Sequence, residues 1–229
     1  MLKDGATIID IGGMSTRPGA SEVAETEERS RVIPAINAIV RNFPEAIISI
    51  DTFRSGVAKE AVENGASIVN DISGGTEDEG MFKVVADLNC PIILMHLQGG
   101  IAHIHEPPQY ENFLTDVFDY FSSRLQKAKA SGIKDVIVDV GFGFSKTREQ
   151  NYYLLKHLSV FECLNKPILI GVSRKSMLYK LLETTPENAL NATTAAHMIA
   201  LQNGASVLRA HDVKEAMECI RIHQTINAV

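Results

Sequence analysis

Seven short apolar runs, rich in isoleucine and valine, recur along this chain and constrain its fold more than any other feature. They are Thr7–Ile11, Ala46–Ile50, Ser67–Val69, Pro91–Met95, Asp135–Val138, Pro167–Val172 and Ser206–Leu208. The runs are continuous, not alternating, as in strands buried on both faces of a parallel sheet. Amphipathic segments at helical spacing lie between them: Val32, Ile36, Ile39, Val40 and Phe43 share one face, and Val57, Ala58, Ala61 and Val62 another. Strand and helix therefore alternate, which implies parallel pairing through crossover helices.

Local signals place the element ends. Thr76 with Glu79 has the spacing of a capping box, and Thr185-Pro186 puts proline at a first helical position. Pro34, inside a helical pattern, predicts a late start or a bend. Asp4-Gly5-Ala6-Thr7, Asn64-Gly65-Ala66-Ser67 and Asn203-Gly204-Ala205-Ser206 repeat one helix-to-strand turn, with glycine supplying a left-handed cap.

Seven βα units with no Gly-x-Gly-x-x-Gly after the first strand favour a barrel over a doubly wound sheet. No linker divides the chain, so residues 1–229 are expected to form a single domain. The first residues resemble the tail of a helix. The expectation is an α/β fold, a (β/α)₈ TIM barrel with its first strand and most of its first helix missing.

Charge and cysteine usage narrow the function. A net charge of -6 argues against a nucleic-acid grip, which requires a basic face. Three cysteines, Cys90, Cys163 and Cys219, form no Cys-x-x-Cys pair, which fits a reducing compartment and inert packing roles. No apolar stretch approaches the ~18 residues of a membrane span, and no signal-peptide pattern opens the chain. A cytoplasmic location with no membrane partner is expected.

Each apolar run ends at polar residues: Asp10, Asp51, Asn70 with Asp71, His96, Asp139, Arg174 with Lys175, and Arg209 with His211. In a barrel these positions converge on the C-terminal face, where active sites of this fold sit. Asp51, Asp139 and Asn70 suit a flat heterocycle with an amino-amidine edge, because a carboxylate accepts two parallel N–H bonds there. The alternative for Asp51 is a cap on the next helix. Arg174, Lys175, Arg209, His211 and Arg17 form a cationic set suited to phosphate or pyrophosphate. The phenylalanines of Gly141-Phe142-Gly143-Phe144 could wall a ring or simply fill the core. Gly12-Gly13 and Ser15-Thr16-Arg17-Pro18-Gly19 read as a functional loop. His96, His103 and His105 are discounted as a zinc site, since Gly99, Gly100, Pro107 and Pro108 mark that stretch as a loop.

Taken in order, Ile9-Asp10-Ile11-Gly12-Gly13 with Ser15 to Ala20, Ser49-Ile50-Asp51-Thr52, Asn70-Asp71-Ile72-Ser73-Gly74, Met95-His96, Gly141 to Phe144 with Lys146-Thr147, Ser173-Arg174-Lys175-Ser176 and Arg209-Ala210-His211-Asp212-Val213 resemble the dihydropteroate synthase family. The resemblance spans essentially the whole chain. It implies joining of 6-hydroxymethyl-7,8-dihydropterin pyrophosphate to 4-aminobenzoate, with release of pyrophosphate, in folate synthesis. It implies pterin binding by Asp51, Asn70, Met95, Asp139 and Lys175, pyrophosphate binding by Arg209, His211 and Arg17, and an aminobenzoate site, also the sulfonamide site, at Thr16, Arg17, Pro18, Phe144 and Ser176. Lys175, Asp139 and Arg209 would be the catalytic residues. Magnesium would arrive with the substrate pyrophosphate, with no metal ligand in this chain, and a homodimer is implied.

The chain departs from the family pattern. Met14 stands where glutamate is common, Val140 where proline is usual and Ser145 where glycine is usual. The family's first strand and its Asn-Val-Thr-Pro-Asp-Ser-Phe-Ser loop, which supplies an asparagine to the magnesium-pyrophosphate end, have no counterpart here. Two rival readings follow: a pterin-binding methyltransferase serving a corrinoid, and an inactive fragment lacking that strand and loop.

Overall fold

A computed structural model describes residues 1–16, 23–104, 106 and 109–228. Seven strands form where the apolar runs predict them: β1 (Ile8–Gly12), β2 (Ile47–Asp51), β3 (Ile68–Asp71), β4 (Ile92–Met95), β5 (Val136–Asp139), β6 (Ile168–Ile170) and β7 (Val207–Leu208). The helices are α1 (Glu25–Asn42), α2 (Ser55–Glu63), α3 (Met81–Asp87), α4 (Phe113–Ala130), α5 (Arg148–Lys156), α6 (Ser176–Leu181), α7 (Leu190–Gln202) and α8 (Val213–Asn227). None of the described helices is long and apolar enough to cross a membrane.

The chain packs as two compact units. One comprises Thr7–His105 and Ser122–Ile137, the other Met1–Ala6, Glu106–Phe121 and Val138–Val229. In the first, parallel pairing runs in the order β1-β2-β3-β4. The residue leading into β5 joins it where Ile92 N–H donates to Asp135 O at 3.0 Å. In the second, the end of β5 pairs with β6 and β6 with β7, again in parallel.

The core of the first unit is aliphatic: Ile48, Ile50, Val69, Ile92 and Leu94 from the strands pack with Val32, Ile36, Val57, Ala61 and Val85 from the helices. Of the predicted α1 face, Val32 and Ile36 are buried, whereas Val40 and Phe43 near the helix end stay exposed. The second unit carries an aromatic cluster, with Phe121 edge-to-face on Phe161 at a centroid distance of 6.0 Å.

The helix-to-strand turns are as the sequence predicts, with Gly5, Gly65 and Gly204 at φ 104°, 112° and 93°. At Gly65 a side chain is excluded twice: the backbone is left-handed, and a Cβ would lie 2.7 Å from Val40 Cγ2. Two expected ends differ. α1 does not start late: it begins at Glu25 and carries Pro34 inside it. Thr76 caps no helix, since its hydroxyl donates to Ser73 O and α3 begins only at Met81. The capping box lies instead at Thr147 and Gln150, at the start of α5. Both segments carry a Thr-x-x-Glu/Gln signal, and the chain after Thr76 is bent away from a helix by its own side-chain bonds. Pro186 does occupy a first helical position, in the short 3₁₀ turn Pro186–Asn188.

Candidate active site

The strand ends of the first unit bring together Asp10, Asp51 and Asn70. Register places Gly12, Asp51 and Asn70 side by side across β1, β2 and β3. Asn70 is buried, and its amide donates to Asp10 Oδ2 at 3.2 Å, which fixes the amide's orientation. Asp51 does not cap the next helix. The N-cap of α2 is Arg54, and Ser55 N–H is taken by Asp78 Oδ2 at 2.7 Å. Asp51 is half-buried at the end of its strand.

Asp71, fully buried, is a loop organiser. Its carboxylate accepts Ser73 N–H (2.8 Å), Ser73 O–H (2.7 Å) and Gly75 N–H (2.8 Å), tying the turn after β3 into one shape. Burial still dominates and pushes this carboxyl up to about 6, against the three hydrogen bonds. Met95 and His96 are both buried at the end of β4.

After β1, Gly13 is demanded by packing, because a Cβ there would lie 2.9 Å from Glu28 Cγ. Arg31 Nη1 donates to Gly13 O at 2.9 Å, and Arg54 Nη1 pairs with the buried Glu28 Oε2 at 2.6 Å. Thr16, the last residue described in this loop, is half-buried; Arg17 and Pro18 lie outside the described residues.

In the second unit, Asp139 is buried at the end of β5 and accepts Gly141 N–H at 2.8 Å. Burial raises its carboxyl above the usual range, while Lys175, Arg209 and Lys146 pull the other way. Lys175 Nζ lies 3.9 Å from the centroid of the Phe144 ring, a cation–π contact. Lys146 donates to Gly141 O (3.0 Å) and Phe144 O (3.1 Å). Burial of its amine pushes it down to about 7, helped by Lys175 and opposed by Asp139.

The two phenylalanines part company. Phe144 is half-buried beside Lys175, whereas Phe142 is buried as a core residue and is no wall for a ligand. Asn151 on α5 holds this loop from below: its Oδ1 accepts Gly143 N–H at 2.7 Å and its amide donates to Thr147 O at 2.7 Å. Its burial carries no signature in the sequence, because asparagine in a helix is ordinarily solvated. Ser145 has φ 45°, a left-handed conformation that glycine, usual at that place in the family, can adopt without steric cost.

Ser176 opens α6 on the exposed side, next to Lys175. Arg209 and His211, both exposed, follow β7. His211 N–H donates to Ser173 Oγ at 3.2 Å, and its Nδ1 lies 3.0 Å from the same hydroxyl. Arg174, read from sequence among the cations, is committed elsewhere: its guanidinium forks onto Asp212 at 2.6 and 3.0 Å. Among the described residues, no three His, Cys, Asp or Glu side chains gather as a metal-holding group.

The comparisons with known proteins agree on one family. A family model described as "Pterin binding enzyme" matches residues 1–211. Dihydropteroate synthase of Escherichia coli K12 is 42% identical over 224 residues, covering 97% of this chain and 79% of that protein. The Yersinia pestis dihydropteroate synthase, solved with a sulfonamide drug complex, superposes with a TM-score of 0.95 at 39% identity, covering 100% of this chain and 83% of that one. The Xanthomonas albilineans dihydropteroate synthase, solved with 4-aminobenzoic acid, gives a TM-score of 0.93 at 37% identity, over 100% of this chain and 82% of that one.

Proposed function

This chain belongs to the pterin-binding enzymes, and within them to the dihydropteroate synthases, α/β proteins of the TIM-barrel class; from that premise we propose how its own residues divide the work. The enzyme is a transferase of folate synthesis that joins 6-hydroxymethyl-7,8-dihydropterin pyrophosphate to 4-aminobenzoate. The C–O bond to pyrophosphate breaks, the aniline nitrogen forms the new C–N bond, and a proton leaves that nitrogen.

Asp51, Asn70, Met95, Asp139 and Lys175 hold the pterin. The carboxylates and the amide take its amino-amidine edge, because paired N–H donors match carboxylate geometry. Arg209 and His211, with Arg17, take the pyrophosphate and stabilise the negative charge that develops as it leaves. Thr16, Arg17, Pro18, Phe144 and Ser176 shape the aminobenzoate site. Lys175, Asp139 and Arg209 act on the reacting pterin. With pyrophosphate stabilised, bond breaking leads, and the weakly basic arylamine attacks without a covalent enzyme intermediate. The observation that carries this division is Lys175 Nζ, held 3.9 Å over Phe144 within the field of the buried Asp139. It brings a cation, a carboxylate and an aromatic ring together, which supports the reading that the pterin and the arylamine meet beside them.

Magnesium enters with the substrate's pyrophosphate. The chain acts as one pterin-binding domain over residues 1–229, in the cytoplasm, as a homodimer. The methyltransferase reading gives Ser173-Arg174-Lys175-Ser176 and Phe144 nothing to do.

The test is pyrophosphate release by the purified chain. It must depend on 4-aminobenzoate, and Lys175→Ala must lower the rate by about 10²-fold or more if Lys175 touches the reacting pterin. Release without 4-aminobenzoate, or a near-normal rate in the variant, refutes the assignment.

A further inference from the structure

The three residues Ser173, Arg174 and Lys175 each tie to a different element of the second unit. The Ser173 hydroxyl takes His211, in the loop after β7. Lys175 stands over Phe144, in the loop after β5. Arg174 between them has φ 55°, a left-handed backbone that is strained for a residue with a side chain and persists only where its surroundings enforce it. Two contacts enforce it. Arg174 N–H donates to Oγ1 of Thr193, a buried residue of α7, at 3.1 Å. The guanidinium grips both oxygens of Asp212, 38 residues away.

Asp212 is itself in an unusual position. It is the N-cap of α8, where an aspartate ordinarily accepts a hydrogen bond from its own helix. Its side chain makes no cap bond, and both carboxylate oxygens go to Arg174. The carboxyl is held below the usual range by that guanidinium first, with His211 and His197 adding to the effect. A helix cap has been given up for a tertiary strut, and the strut joins the residue beside Lys175 to the residue beside His211.

We propose that Asp212 is a positioning residue of the condensation, holding the reverse turn at Arg174 so that Lys175 and His211 are presented together to the pterin and its pyrophosphate. The proposal rests on the roles given above to Lys175 and His211. Without the carboxylate, Arg174 can relax to a right-handed or extended backbone, and the directions of its two neighbours change with it. Displacement of a catalytic group by about 1 Å can cost as much as ~10²-fold in rate.

The experiment compares the full chain with Asp212→Asn, Asp212→Glu, Lys175→Ala and His211→Ala. Steady-state pyrophosphate release, calorimetric titration with inorganic pyrophosphate and thermal melting are measured for each. Asp212→Asn is expected to melt within a few degrees of the parent, yet to lose about 10-fold or more in kcat. Its KM for the pterin pyrophosphate should rise and its KM for 4-aminobenzoate should barely change. Asp212→Glu, which keeps the charge, should recover part of the loss. A structural role alone would lower the melting temperature and leave kcat per folded molecule unchanged, and that result overturns the proposal. If Lys175→Ala and His211→Ala are themselves harmless, the assigned roles have failed. If they are damaging while Asp212→Asn is not, only the strut has failed. Should the chain release no pyrophosphate, the titration decides: weaker binding by Asp212→Asn supports the strut, and equal binding, or none by either protein, refutes it.

Discussion

His197 on α7 is 1% exposed, and among the described residues neither ring nitrogen has a hydrogen-bond partner. Burial pushes this imidazole down to about 4 from an ordinary value of 6.5, with only Asp212 pulling the other way. The unfolded chain therefore takes up a proton near pH 6.5 that the folded protein refuses until about pH 4. Stability contributed by the neutral ring is fully present above pH 6.5, falls as pH drops through that window, and levels off below about pH 4. At about 1.4 kcal/mol per pH unit, the gap is worth about 3 kcal/mol in all, most of it lost by pH 4.5. His197→Leu removes the titration and keeps an apolar group of similar size. At pH 7.5 the variant should match or exceed the parent, because no buried unpaired N–H remains. Urea unfolding followed by circular dichroism at pH 7.5, 6.5, 5.5 and 4.5 should show the variant gaining on the parent by roughly 2–3 kcal/mol across the series. Groups common to both proteins cancel in that difference. Parallel pH curves would mean that His197 is hydrated or protonated in the folded state, and the reasoning would fail.

Two further substitutions test other parts of the fold. Ser145→Gly relieves a left-handed serine at φ 45° and should stabilise by roughly 0.5–1 kcal/mol, or a few degrees in melting temperature; no gain would show that the serine is not strained there. Arg54→Met leaves the 2%-exposed Glu28 carboxylate without its guanidinium and should cost about 3 kcal/mol in a urea melt, largely recovered by adding Glu28→Gln; a loss below about 1 kcal/mol would mean that the pair is hydrated.

Much of this architecture is written locally. The seven apolar runs place all seven strands within a residue or two, because a strand buried on both faces requires an unbroken apolar stretch. The repeated Gly-Ala turns are legible for a similar reason: φ near 100° is open to glycine and to little else. The strand-end residues Asp51, Asn70, Asp139 and Lys175 stand out because ionisable groups punctuate otherwise apolar runs. What each of those groups does is less local. Phe142 and Phe144 are indistinguishable in sequence, yet one is core and the other faces Lys175. Thr76 and Thr147 carry the same capping signal, and only the second caps a helix.

The amino-acid sequence by itself determined the βα repeat, the positions of the strands and the family, because periodicity and short motifs act within a dozen residues. Only the tertiary structure decided that Arg174 belongs to Asp212 and not to a free cationic set, that Asn151 braces the Gly143 turn, and that the His197 ring is buried with no partner among the described residues. Those outcomes depend on residues far apart in the chain, whose approach is set by how helices and strands pack and by which buried polar groups find one another.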